Sequence, residues 1–147
     1  MAIKILELHH HAVRTGGTQD EADRTMTFYR EVLGLGADDG RPQIPGIPGY
    51  WVDVGGRAQV HLMGVDGASR FAKEPGQDPA APHVAFGVED IVATRAELDR
   101  MGTPYWVADG IVGPQSQQIF MHDPAGNMLE LHEAGTCRCQ AATRPNP

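Results

Sequence analysis

The sequence predicts an α+β domain made of two copies of one unit, each a strand, a helix and three further strands. Three observations carry this. Two segments place apolar residues at helical spacing and stop at glycine. The segments around them alternate apolar and polar residues with the period of a strand. The whole order then begins again near residue 82.

Taken in order, a strand is expected near 3–15 and a helix near 20–33. The helix has Thr18 or Asp20 as a start signal, ends at Gly34-Leu-Gly36, and aligns Ala22, Met26, Tyr29 and Leu33 on one face. Residues 41–49 hold three prolines and are too proline-dense for regular structure, so the second strand of this unit is poorly defined. Strands follow at 50–54 and 58–63, joined across Gly55-Gly56. The polar stretch 65–81 is expected to be a surface linker. The second unit has a strand at 83–88 and a helix at 89–101 with Ile91, Leu98 and Met101 on one face, stopping at Gly102. Strands at 103–108, 116–122 and 128–133 complete it, the last two joined by the tight turn Asp123-Pro-Ala-Gly-Asn127. The expected organisation is one domain, 1–134, of two modules (about 4–64 and 82–133), with a flexible tail at 135–147.

The intervals support a duplication. His10 precedes Gly34 by 24 residues and His83 precedes Gly102 by 19, the difference being Gly16-Gly17-Thr18-Gln19-Asp20. Gly34 to His61 is 27 residues, and Gly102 to Glu130 is 28. His10 therefore corresponds to His83, and His61 to Glu130. Alternation puts His83, Ala85 and Gly87 on one face of their strand, Gln59, His61 and Met63 on one face of theirs, and Met128, Glu130 and His132 on one face of the last. In the run His9-His10-His11, placing His10 at the site leaves Val13 under a helix, whereas the opposite register would bury Arg14 there, which is costly. His9 and His11 are then expected to be partly exposed. Three imidazoles and a carboxylate on same-face positions match a divalent transition metal, with Fe2+, Mn2+, Ni2+, Co2+ and Zn2+ all compatible.

Composition narrows the function. Of 147 residues, 41% are hydrophobic and 21% charged, enough for a packed core. Twelve Lys and Arg against nineteen Asp and Glu give a net charge of −7, which disfavours nucleic acid and anionic membranes as partners. No apolar run has the length of a membrane span, and the start MAIKILELHHH lacks the features of a secretory leader, so a cytoplasmic location is expected. Cys137 and Cys139 are too close for an ordinary disulfide and are expected to be exposed, reduced thiols. A soft-metal role for them has no further ligand spacing to support it.

The segments LHHHAVRT, FYREVLGL, HVAFGVEDI and FMHDPAGNMLELHE, in this order over about residues 4–134, resemble the vicinal oxygen chelate superfamily. This is the glyoxalase, bleomycin-resistance and extradiol-dioxygenase group. The resemblance implies paired βαβββ modules forming a cup-shaped mixed sheet around one divalent metal. It implies His10, His61, His83 and Glu130 as ligands, a small substrate with two neighbouring oxygens, and a homodimer. It implies a glyoxalase-like lyase, isomerase or epimerase, with Glu130 as base if it can leave the metal and His61 supplementing it. Arg14 falls where related lyases contact substrate, although a salt bridge at the cup mouth is an equal reading. The partner Asn of that contact is replaced by Val65.

The alternative is an extradiol-type ring-cleaving dioxygenase using His10, His83 and Glu130 on Fe(II), with His61 as acid–base group. The acid–base His of that subgroup is replaced by Ala58 and its active-site Tyr by Phe120, which with Arg14 is expected to contact the substrate. The His of its preceding loop is missing from residues 113–118. A third possibility is a ligand-binding or antibiotic-resistance protein, although metal-free members of that kind lack the ligands retained here.

Overall fold

The computed structural model describes residues 2–144. Its elements are β1 (Ile5–Arg14), α1 (Gln19–Leu33), β2 (Gly49–Val54), β3 (Ala58–Met63), β4 (His83–Val88), α2 (Ile91–Met101), β5 (Trp106–Asp109), β6 (Gln117–His122) and β7 (Met128–Glu133). The strands form one open mixed sheet in the order β2-β3-β1-β4-β7-β6-β5. This is the expected α+β class, with both helices packed on one face.

Local chemistry explains the helices. Thr18 caps α1 by accepting from the Glu21 backbone N–H, while the Glu21 side chain reaches back to the Thr18 N–H, a reciprocal capping box. Asp90 caps α2, which therefore starts at Ile91, two residues later than expected. Both helices end on glycine in the left-handed region, Gly34 at φ 68° and Gly102 at φ 67°. Met26 of α1 is buried with Val52 and Leu62, whereas Leu33, expected on this face, is exposed. Ile91 and Leu98 of α2 are buried with Ile119 and Leu131.

The strand pairing repeats as the intervals require. β1 is parallel to β3 with Ala12 opposite His61, and β4 is parallel to β7 with Ala85 opposite Glu130. β1 and β4 meet antiparallel at the centre, with His10 opposite Ala85 and Ala12 opposite His83. Two departures stand out. The second strand of the first unit shrinks to one bridge, Ala37 with Val52, because glycines and prolines surround it. The stretch expected as a surface linker instead folds back on the sheet: Val65, Asp78 and Ala80 are buried. Asp78 ties it together, accepting from the Ser69 N–H, the Ser69 hydroxyl and the Ala80 N–H.

The face away from the helices carries a cavity of about 350 Å3. Apolar residues dominate its wall, among them Ile44, Ile47, Trp51 and Phe71. His10, His61, His83, Glu130 and His132 of the strands and Cys137, Arg138 and Cys139 of the tail bring the ionisable groups.

Candidate metal centre

β1, β4 and β7 bring His10, His83 and Glu130 together at the base of the cavity. Glu130 is fully buried. Its Oε2 lies 2.9 Å from His83 Nε2 and 3.2 Å from His10 Nε2, and the two imidazole nitrogens are 3.2 Å apart. His83 Nδ1 donates to the Ala81 carbonyl at 2.7 Å, and a carbonyl can only accept. In neutral His83 the Nε2 lone pair therefore faces a carboxylate oxygen. With the His10 proton on Nδ1, the nitrogen that faces Cys139 Sγ, three electron-rich atoms converge where a cation would fit. The donor set, two imidazoles and a carboxylate, suits a divalent transition metal.

Electrostatics favour the same protonation states. Burial pushes the His10 pKa down, although Glu130 opposes it. Burial alone would raise the Glu130 pKa, but His10, His132 and His83 override it and hold the carboxyl well below its usual range. A neutral imidazole beside an ionised carboxylate is what metal binding requires. The ligands are also held from behind. Gln118 Nε2 donates to Glu130 Oε1 at 2.9 Å, and His10 Nδ1 lies 3.3 Å from Cys139 Sγ. Both Glu130 oxygens are thus engaged, which suits a fixed ligand better than a mobile base.

His61 lies beside this set rather than within it. Its ring stacks between His10, at 3.7 Å between centroids, and Trp51, at 4.5 Å. His61 Nε2 donates to Gln59 Oε1 at 2.9 Å, and the Gln59 amide is oriented by donating to Asp53. The proton on Nε2 leaves Nδ1 as the basic atom. Burial, followed by the neighbouring His10, lowers the His61 pKa well below its ordinary value. The ion-sized grouping of His10, His83 and Glu130 does not include His61, which instead groups with His10 and Cys139.

Two further residues singled out from sequence, Arg14 and Phe120, lie apart from the cavity wall. Arg14 donates to the Gly67 carbonyl at 2.7 Å and the Ala80 carbonyl at 3.3 Å, and its third nitrogen is 3.4 Å from Asp78. It holds the 65–81 loop. Phe120 is fully buried, edge-on to His83 at 5.5 Å and stacked on Trp106 at 5.7 Å. It positions the His83 ring.

The tail departs most from expectation. Its described part folds under the cavity instead of standing free, and Cys139 is buried, not exposed. Arg138 forms a two-pronged ion pair with Asp38, at 2.7 and 2.8 Å. Arg144 pairs with Asp53 at 2.6 Å. Cys137 is half-buried, 3.4 Å from His9 Nδ1. Its pKa is pulled down to about 4, first by its hydrogen bond with Cys139 and then by His9. The Cys139 thiol is pushed up by Cys137 and by burial.

His9 is also a correction. It is fully buried, because register shifts in the β1–β4 pairing interrupt the alternation that excluded it. Leu8 pairs with Phe86 and His10 with Ala85, which leaves His9 as the extra residue of a bulge. His9 Nε2 bonds Glu7 Oε1 at 2.8 Å. Burial would lower its pKa, but Cys137 and then Glu7 outweigh burial and raise it. His11 is exposed, as expected. The bulge has no signature in the sequence. His132 did have one, since it shares a strand face with Glu130.

Residues 8–131 match the Glyoxalase/Bleomycin resistance protein/Dioxygenase superfamily. Glyoxylase I 4 of Arabidopsis thaliana is 30% identical over 122 residues, covering 81% of this chain and 65% of that protein, so the match spans less than two thirds of the relative. Among solved structures, methylmalonyl-CoA epimerase from Mycobacterium tuberculosis superposes with a TM-score of 0.67 at 23% identity, covering 90% of this chain and 91% of that one. A variant of the Streptomyces coelicolor methylmalonyl-CoA epimerase bound to 2-nitronate-propionyl-CoA gives 0.65 at 18% identity, covering 90% and 100%. With its repeated strand pairing and this breadth of match, the chain belongs to the glyoxalase, bleomycin-resistance and dioxygenase superfamily.

Proposed function

We propose that this protein is a divalent-metal-dependent isomerase, epimerase or lyase acting on a small substrate with two neighbouring oxygens. The observation that carries it is the convergence of His10 Nε2, His83 Nε2 and Glu130 Oε2 within 3.2 Å of one another. His10, His83 and Glu130 would hold the metal, which when bound supplies Lewis-acid polarisation of the substrate oxygens. His61 supplies the proton transfer. Its Nε2–H is committed to Gln59, and its lowered pKa keeps it unprotonated at neutral pH. It takes a proton from the carbon beside the polarised oxygen and returns it at that carbon or its neighbour. The apolar wall excludes water. Trp51 Nε1 and Gln118 Oε1, on residues that line the cavity, are buried without hydrogen-bond partners.

The glyoxalase and epimerase names among the relatives support this reaction class. One feature favours a second reading, an extradiol-type dioxygenase: the grouped ligands are two histidines and one carboxylate, with His61 standing aside. Fe(II), Mn2+, Ni2+, Co2+ and Zn2+ all suit this donor set. The deciding assay is catechol ring cleavage in air against anaerobic exchange of substrate C–H for solvent deuterium. Anaerobic exchange that disappears in His61→Ala supports the first reading; oxygen-dependent cleavage without exchange replaces it. Metal analysis of His10→Ala, His83→Ala and Glu130→Ala tests the centre, and full occupancy in all three removes it. A homodimer accompanies this proposal, supported by the exposed apolar residues Ile5, Leu6 and Leu8 of β1. A single-chain mass in sedimentation would exclude it.

A further inference from the structure

At the edge of the cavity, His132 and Cys137 of its wall meet His9 of the β1 bulge and form a second set of donors. His9 presents Nδ1 to Cys137 Sγ at 3.4 Å, while its Nε2–H is held by Glu7 at 2.8 Å. His132 lies beside them, its ring 5.9 Å from that of His9. Its Nδ1 is 3.5 Å from Glu130 Oε1, and its Nε2 is buried without any partner. The donor atoms of His9, His132 and Cys137 all lie within 4.8 Å of one another. Around a tetrahedral zinc ion such atoms stand roughly 3.3–3.7 Å apart, so a small contraction closes the set. Gly87 makes the approach possible, since a Cβ there would stand 2.6 Å from His9 Nε2.

The geometry points to a second metal site at His9, His132 and Cys137, taking a thiolate-preferring divalent ion of the zinc class. The surroundings have the form that such sites use. Each ligand imidazole turns its other nitrogen toward a carboxylate, Glu7 behind His9 and Glu130 behind His132. The Cys139 backbone N–H donates to Cys137 Sγ at 3.3 Å, a bond that supports a thiolate. The set contributes three protein ligands, which leaves a fourth position for solvent. An ion here clasps the tail to β1 and β7. It thereby fixes Cys139 against His10, so that this site would brace the catalytic centre without taking part in its chemistry.

The test is a Co2+ titration of the full apo-protein, kept reduced under nitrogen. The expected result is uptake of about two ions per chain with a thiolate-to-cobalt charge-transfer band in the near ultraviolet. Cys137→Ser should remove the band and about one ion, while Cys139→Ser keeps both. His132→Ala and Glu7→Gln should each weaken the band-forming step about tenfold or more. His10→Ala should lose the other ion and keep the band, so failure of the cavity centre and failure of this site read differently. A wild-type protein without the band overturns the proposal, as does a band that survives Cys137→Ser. A measurement on the unmodified chain guards against a variant that does not fold. Saturating Zn2+ should slow alkylation of Cys137 by iodoacetamide about tenfold, read by peptide mass spectrometry, and an unchanged rate also overturns it.

Discussion

At the scale of single residues, the hydrogen bond from His61 to Gln59 decides how this histidine works. A proton-transfer role predicts that His61→Gln and His61→Ala both retain metal and both lose turnover by about two to four orders of magnitude. A ligand role predicts instead that His61→Gln keeps metal and much of the activity while His61→Ala loses both. Metal content and turnover measured together separate the two. Arg14 is assigned by the same reasoning. Its guanidinium is occupied by Gly67, Ala80 and Asp78, so Arg14→Met should cost about 1–3 kcal/mol of stability and leave KM unchanged. A raised KM at unaltered stability would return Arg14 to the substrate. The pairing of His10 with His83 and of His61 with Glu130 was legible because strand alternation and the repeat intervals both report side-chain direction. The stacking of His61 on Trp51 was not, because it depends on ring orientation within a face.

At the scale of elements, caps and bulges decide the outcome. Thr18→Ala removes one half of the α1 capping box and should lower stability by about 1 kcal/mol, seen as a shift in the urea midpoint without a change in slope. The helices were readable because Thr18, Asp90, Gly34 and Gly102 are local signals acting over a few residues. β1 was readable as a strand, with His10 directed at the site, but its bulge at His9 was not. An extra residue in one strand leaves no mark on composition, and here it turned His9 inward beside His10. The bridge at Ala37 marks the opposite limit: a glycine-rich stretch can still align a few residues with β2 when the sheet edge offers partners. Asp38 N–H donates to the Trp51 carbonyl, and Asp53 N–H to the Gly36 carbonyl.

At the scale of the whole molecule, the tail is the part that composition misjudged. Residues 135–144 are polar and turn-rich, yet Arg138 and Arg144 find carboxylates presented by distant segments, and no local pattern announces that. Truncation after Thr136 should therefore disturb the cavity and lower metal affinity, measurable by competition with a chelator. The ion pair also gives the docking a pH dependence. Burial would raise the Asp38 pKa, but Arg138 and the Gly40 N–H lower it below its ordinary 3.8. A carboxyl depressed in the folded state stabilises fully above the unfolded value and loses that contribution as pH falls through the folded one. Exchange of the Ala141 amide, which donates to the Gly56 carbonyl, should accelerate below about pH 4 once corrected for its intrinsic rate. An unchanged protection factor would mean that Asp38 does not anchor the tail.

The antiparallel contact of β1 with β4, placing His10 opposite Ala85 and Ala12 opposite His83, has a consequence for ancestry. A seam that pairs with its own counterpart about a local two-fold is how two identical half-size chains would have joined before their genes fused. In the proposed centre the first half supplies His10 and the second His83 and Glu130, so only together would they hold the ion. If that seam still carries the assembly, a chain cleaved within residues 66–77 and expressed as two fragments should reassemble into a metal-binding protein, while neither fragment binds the ion alone.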